Sequence, residues 1–184
     1  LGLIYFEARF ISRDMEKAIH YFTLAARKND KNSQYYLGLI FYYGINVSKN
    51  YEKSMHYISL AAEQRYPKAQ YFLGHVLINS KKFDRAIYYF KNSAQNGLIE
   101  GKFTYAFFLH DGKYIEQDIY KAIILYKDAS SFNDPYSKNN LGIIYKNGFG
   151  NKIKKIIGNA IVYFEEAIHQ SNDIVSMYNL SHLY

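Results

Sequence analysis

The sequence predicts an all-α fold, a right-handed α-solenoid of about five helix–turn–helix repeats that is truncated at both ends. The first observation is a recurring pair in which a large residue is followed by a small one. The small members are separated by intervals of 36, 36, 32, 36 and 39 positions, and the pairs are Leu1-Gly2, Leu37-Gly38, Leu73-Gly74, Tyr105-Ala106, Leu141-Gly142 and Leu180-Ser181. A second series runs in step with it, in which a Lys-Ala-like pair stands eight residues before a pair of small residues: Lys17-Ala18, Lys53-Ser54, Arg85-Ala86, Lys121-Ala122 and Asn159-Ala160. Such fixed periods are the sequence signature of stacked helical repeats.

The second repeat shows how each element is predicted. Its first helix is expected over about 33–43, ended by Gly44, with four residues on one stripe: Ser33, Leu37, Ile40 and Phe41. Its second helix is expected over about 51–65 and stops before Pro67, again with four residues on one stripe: Ser54, Ile58, Ala61 and Ala62.

In the same register, residues 1–184 form a single array. The repeats cover approximately 1–32, 33–68, 69–100, 101–136 and 137–175, and a sixth begins at 176–184. The third repeat lacks a four-residue loop extension, and the fifth has two extra residues around 152–158. Leu1 begins partway into a helix without an initiator Met, so the chain is expected to be an internal piece of a longer protein whose open ends are covered by further chain or a partner.

Glycine recurs inside the first helices, at Gly38, Gly74 and Gly142. A helix-interior glycine costs about 1 kcal/mol relative to alanine, so its return needs a compensating reason. We expect close packing, in which the missing side chain lets the small-residue pair of the second helix approach.

These residues resemble the Sel1-like repeat, a relative of the tetratricopeptide repeat with the pattern A-x-x-x-L-G-x-x-Y…G…K-A-x-x-Y-[YF]-x-x-A-A. The segments Ser33 to Ala62 and Ala69 to Ala94 match it well, and the resemblance covers essentially the whole chain. It implies a solenoid of helix pairs that serves as a scaffold for protein partners. One bacterial branch of the family links each repeat by a Cys pair, which this chain lacks.

Composition and motifs argue against catalysis. The chain has no Cys, which excludes thiolate nucleophiles and Cys-ligated metals. The His-Asp-Gly-Lys segment at 110–113 lacks the flanking residues of a phosphate-binding loop, and His20 and His56 recur at equivalent positions, as structural residues do. We therefore predict no enzyme activity, no catalytic residue, no cofactor and no metal site.

The chain carries 23 Lys+Arg and 16 Asp+Glu, a formal net charge of +7. Five lysines and no acid lie between Ser137 and Asn159, and three of them, Lys152, Lys154 and Lys155, are in the enlarged loop of the fifth repeat. Two interpretations stay open: contact with phosphate or an acidic partner, and a solvated loop.

Partner recognition is expected on the concave face. First-helix positions outside the core pattern recur at i, i+4, i+7 and i+8 and form one stripe. Large side chains on such a wall are typical anchors for a bound helix or extended peptide. The predicted partner-binding residues are Tyr35, Leu39, Tyr42, Tyr43, Tyr71, His75, Ile78, Phe103, Phe107 and His110. The alternative is that these residues fill the groove between successive first helices.

The predicted function is a non-enzymatic scaffold or adaptor that binds a peptide or helix of a protein partner, without a small-molecule substrate or a membrane span in this segment, and with nucleic acid not indicated. Two alternatives remain: an adaptor subunit of an endoplasmic-reticulum ubiquitin-ligase complex, and a regulatory segment of a larger enzyme such as a kinase. The cytoplasm is the favoured compartment, and the endoplasmic-reticulum lumen is the alternative.

Overall fold

The computed structural model describes residues 15–184, which form ten α-helices. The predicted all-α repeat fold is confirmed. Leu1-Gly2 and the rest of the predicted first helix of repeat one lie outside the described residues. Within the described range, no helix has the length and apolarity needed to cross a bilayer.

The chain divides into two compact halves, one ending at Asn96 and the other beginning at Gly97. The first half contains α1 (Met15–Arg27), α2 (Lys31–Tyr43), α3 (Tyr51–Glu63), α4 (Pro67–Asn79) and α5 (Phe83–Gln95). The second half contains α6 (Ile99–Asp111), α7 (Ile119–Ser131), α8 (Pro135–Asn147), α9 (Ile157–Ser171) and α10 (Ile174–Ser181). Even-numbered helices are the first helices of their repeats, and odd-numbered helices are the second.

Local sequence signals set the helix ends. Asp30 caps α2 by accepting a hydrogen bond from the Ser33 amide at 2.7 Å, and Asp134 caps α8 in the same way through Ser137. Gly44 ends α2 with φ 71°, a left-handed conformation that favours glycine. Pro67 begins α4, where its missing amide hydrogen is not needed.

The close packing predicted at the helix glycines is confirmed, but the predicted neighbours are wrong. Gly38, Gly74 and Gly142 face the largest buried side chains of the second helices, which are Ile58, Phe90 and Phe164, and not the small-residue pairs. A Cβ atom placed on Gly74 would lie 2.5 Å from Cε1 of Phe90, and one on Gly142 would meet Phe164 at the same distance. The first helix therefore gives up a side chain so that a ring from the second helix can occupy the space.

In repeats two to five, the first helix carries a buried or half-buried polar side chain three residues before its Leu-Gly or Tyr-Ala pair. In the first half this residue is Gln34 or Gln70, which accepts a hydrogen bond from the Gln64 amide at 2.7 Å or from the Asn96 amide at 2.9 Å. In the second half it is a lysine. Both kinds of pairing satisfy a buried polar group, and both tie the start of the first helix to the last turns or the end of the second.

The lysines at this position form the ion pairs Lys102–Asp128 and Lys138–Glu166, each with a nitrogen–oxygen distance of 2.9 Å. Lys138 is only 8% exposed, and Glu166 neutralises its charge within the repeat.

Repeat four replaces the glycine by Ala106 and the ring by Tyr126, and both residues are fully buried. The Tyr126 hydroxyl has no hydrogen-bond partner among the described residues, and burial raises the pKa of this phenol above its ordinary value. Phenylalanine serves at the equivalent positions 90 and 164. The hydroxyl is therefore an uncompensated polar group in the core.

Alanine substitutions at two helix glycines should have opposite effects. Gly74→Ala forces a Cβ against Phe90 and should lower the free energy of unfolding by about 1–3 kcal/mol, despite the better helix propensity of alanine. Gly158→Ala, in α9, meets no atom within 4 Å and should raise stability by up to about 1 kcal/mol. Urea unfolding of both variants tests this, and equal shifts of the same sign would contradict the close-contact argument.

Removing the unpaired hydroxyl should stabilise the second half. We expect Tyr126→Phe to raise the free energy of unfolding by about 1 kcal/mol, because the buried oxygen loses its hydration and gains no partner. The matched control is Tyr88→Phe, at a site 61% exposed, which should leave stability unchanged. A Tyr126→Phe variant less stable than the wild type would show that the hydroxyl contributes to stability.

Candidate partner-binding surface

The predicted partner-binding residues all lie on first helices, but their exposure differs. Tyr43, His75 and Phe107 are exposed, and the exposed fractions of Tyr43 and Phe107 are 57% and 47%. The other seven are half-buried: Tyr35, Leu39, Tyr42, Tyr71, Ile78, Phe103 and His110. The stripe is thus a partly filled surface and not a fully open one.

Its N-terminal positions pack towards the start of the next first helix. The Tyr35 ring meets the Tyr66 ring edge-on at 5.3 Å, and burial together with Tyr66 raises the pKa of Tyr35 to about 12. In the second half, the Phe103 ring lies 6.0 Å from the Tyr136 ring. At these two positions a neighbouring ring covers part of the side chain.

The C-terminal end of the stripe in the first half borders a small cleft. The Tyr42 ring meets three aromatic rings edge-on, those of Tyr43, Tyr51 and Phe72, at 5.0–5.4 Å. Beside it opens a cavity of about 280 Å³ lined by Tyr42, Tyr51, Met55, Val76, Asn79 and Ser80. Such a cleft could receive an apolar side chain next to the exposed Tyr43 ring.

Several residues that line this cleft were not predicted from the sequence. Tyr51 and Met55 lie four residues apart on α3, so they share one face of this second helix, and Val76 lies on α4. The i, i+4 spacing on the second helix was the available signal.

In the second half, the stripe ends at an aromatic cluster. His110 contacts Tyr126 and Phe149, with ring centroids 6.2 and 5.9 Å away. Phe149 belongs to the enlarged loop of repeat five, so this loop lies against the end of α6. Phe107, three residues earlier on α6, exposes nearly half of its surface beside this cluster.

Two histidines of the stripe have perturbed proton affinities. His75 keeps part of its surface exposed, and its partial burial beside the Tyr71 ring at 4.5 Å and the Phe90 ring at 5.1 Å lowers its pKa. Burial also lowers the pKa of His110, and Asp111 opposes this effect only in part. Both environments favour the neutral imidazole.

Larger clefts lie along the second helices of the first half, a feature that sequence analysis did not predict. One, of about 500 Å³, lies beside α3 and α5, and its lining includes Arg65, Tyr88, Asn92 and Gln95. Another, of about 590 Å³, lies between α1 and α3 around Thr23, Lys53, His56 and Tyr57. Within residues 15–184, no three His, Asp or Glu side chains cluster as metal ligands.

The helix pairs and their Leu-Gly contacts define a helical-repeat protein, and comparison identifies the kind. The Sel1 repeat family matches residues 1–30, 31–66, 67–98, 101–131 and 135–172, and the chain belongs to this family. Sel1 repeat proteins generally act as protein-interaction scaffolds, and the fold is typically non-enzymatic. No curated protein matches the chain at a significant level.

Two solved structures are similar over the whole chain. A Sel1 repeat protein from Oxalobacter formigenes is 25% identical with a TM-score of 0.87, and this chain covers 53% of its length. A protective antigen present in uropathogenic Escherichia coli strains, which displays an SLR fold, is 24% identical with a TM-score of 0.85, and 40% of its length is covered. The chain thus spans about half or less of these relatives.

The lowered pKa of His110 predicts a pH dependence. Protonation favours the unfolded chain, so the contribution of neutral His110 is fully present above a pH of about 6.5 and is lost as the pH falls below it. Urea unfolding at several pH values from about 7.5 to 5 should show a steeper loss of stability in the wild type than in His110→Gln. Equal slopes of stability against pH in the two proteins would contradict a lowered pKa of His110 in the folded state.

Proposed function

We propose that this chain is a non-enzymatic scaffold whose first helices bind a peptide or helix of a protein partner. The observation that carries the proposal is the exposed aromatic surface of the first helices, with Tyr43 beside an apolar cleft in the first half and Phe107 beside an aromatic cluster in the second. Aromatic side chains provide large contact areas with few rotatable bonds, and they are enriched among binding hot spots.

The half-buried members of the stripe support these anchors. Tyr35 and Phe103 pack against rings at the start of the next first helix, and Tyr42 forms a wall of the cleft. Their rings fix the shape of the surface, whereas Tyr43, His75 and Phe107 are available for direct contact. A preformed surface loses little side-chain freedom on binding.

The absence of enzyme activity is part of the proposal. The sequence contains no motif of an activated nucleophile, and the two imidazoles of the stripe, those of His75 and His110, contact aromatic rings. The roles of an endoplasmic-reticulum ligase adaptor and of an enzyme's regulatory segment stay predictions that the full-length sequence would separate.

The exposed anchors should dominate affinity. After affinity capture of the native protein and mass spectrometry of what it retains, the purified partner is titrated by calorimetry against Tyr43→Ala and Phe107→Ala. Loss of a hot spot should weaken binding by about 2 kcal/mol, about 30-fold, in at least one variant. Little change in stability is expected, because both side chains are about half exposed.

Matched controls come from the second helices. Tyr88→Ala on α5 and Ile124→Ala on α7 remove side chains that are 61% and 66% exposed, and both should retain wild-type affinity. Full affinity in both first-helix variants, with loss in Tyr88→Ala, would reject the proposal and place binding at the polar cleft between α3 and α5.

A further inference from the structure

We propose that the loop between α8 and α9, residues 148–156, is a preformed cationic docking element for an acidic segment of a protein partner. The proposal rests on the proposed function, since it specifies the kind of partner that the Phe107 surface receives. The loop was open to two interpretations from sequence, a solvated loop and a site for an acidic group. Its contacts favour the second.

The loop carries concentrated positive charge that the protein leaves uncompensated. Lys152, Lys154 and Lys155 are exposed and form no ion pair with the described residues. Lys138, which belongs to the same basic stretch of sequence, is neutralised by Glu166 and does not contribute. No acidic residue occurs between positions 137 and 159. The available charge is thus a cluster of three lysines within four residues.

The backbone of the loop is held in one conformation. Phe149 and Ile153 exchange backbone hydrogen bonds, with the Phe149 amide donating at 2.8 Å and the Ile153 amide at 3.2 Å. Gly148 and Gly150 have φ of 69° and 51°, which permits the tight turn. The Tyr120 hydroxyl on α7 donates to the Lys152 carbonyl at 3.0 Å. These contacts fix the backbone that carries the lysines, so binding requires little ordering of the backbone.

The position of the loop connects its charge to the aromatic surface. Phe149 packs against His110, which lies one turn after Phe107 on α6. An apolar anchor at Phe107 and carboxylates at the lysines could therefore come from one short segment. The matching partner is a polypeptide with an apolar side chain flanked by Asp or Glu.

Charge distribution favours a protein over nucleic acid. Residues 97–184 contain nine Lys, no Arg and nine Asp+Glu, so the second half has no net charge. Nucleic-acid surfaces have a wide basic field that contacts many phosphates, and anionic membranes attract longer basic clusters. A cluster of three lysines on a half without net charge is instead suited to bind a few carboxylates of a polypeptide.

The test uses a fluorescein-labelled synthetic peptide with Leu at every fourth position and Glu between, and its counterpart with Gln for Glu. Binding is measured by anisotropy at low and high salt, about 50 and 300 mM. The variant Lys152→Ser/Lys154→Ser/Lys155→Ser should bind the Glu peptide at least about 10-fold more weakly at low salt. The control Lys81→Ser/Lys82→Ser/Lys91→Ser changes the net charge equally at exposed sites of the first half and should lose less than about 2-fold.

A second variant tests whether the loop is preformed. Tyr120→Phe keeps every charge and removes the hydroxyl that holds the Lys152 carbonyl, so we expect roughly 2- to 5-fold weaker binding of the Glu peptide. Unchanged binding in this variant would overturn the preformed part of the proposal.

Other outcomes would overturn the proposal as a whole. Equal binding of the Glu and Gln peptides, or equal losses in both triple variants, would show that the loop has no role in acidic recognition. Tighter, loop-dependent binding of a thymidine oligonucleotide or of phosphatidylserine vesicles would assign the loop to nucleic acid or membrane. If the loop variant binds the Glu peptide more weakly while Phe107→Ala binds it with full affinity, the acidic site at the loop stands and Phe107 is rejected as its aromatic anchor.

Discussion

The contact between a helix glycine and a large side chain of the second helix is the constraint on which repeats two, three and five depend. At Gly74 and Gly142 a single methyl group would collide with the ring of Phe90 or Phe164. This contact packs the two helices of one repeat together, and a buried cluster that includes Ala61, Ala62 and Leu73 joins α3 to α4 of the next repeat. The predicted stripe adjoins the same contact, since the rings of Tyr71 and His75 lie 5.6 and 5.1 Å from the Phe90 ring.

The members of the stripe differ in how much of their surface neighbouring rings cover. Tyr35 and Phe103 near the start of their helices touch the rings of Tyr66 and Tyr136 and serve packing. Tyr43 and Phe107, closer to the helix ends, retain about half of their exposure. The proposed recognition surface therefore consists of those members of the repeated pattern that neighbouring rings leave exposed.

Repetition in the sequence predicted the helix pairs, their approximate bounds and the glycine positions, because each reports a backbone requirement that recurs. It could not identify the partner of each glycine, since Ile58 and the neighbouring Ala61-Ala62 pair lie on the same helix stripe and only the helix crossing decides between them. Nor could it find the Lys138–Glu166 pair, whose members are far apart in sequence. For the same reason the basic stretch looked larger in sequence than it is on the surface.

Charge acts at different ranges in the two halves. The first half contains 14 Lys+Arg and seven Asp+Glu, so the whole excess of +7 belongs to it, spread over several turns. Such an excess attracts acidic partners over about a Debye length, roughly 8–10 Å in physiological salt. The second half is neutral, and its three loop lysines act only when a carboxylate arrives beside them. Diffuse charge in the first half can increase the rate of encounter, whereas the rigid cluster in the second can select a partner by where its acidic residues lie.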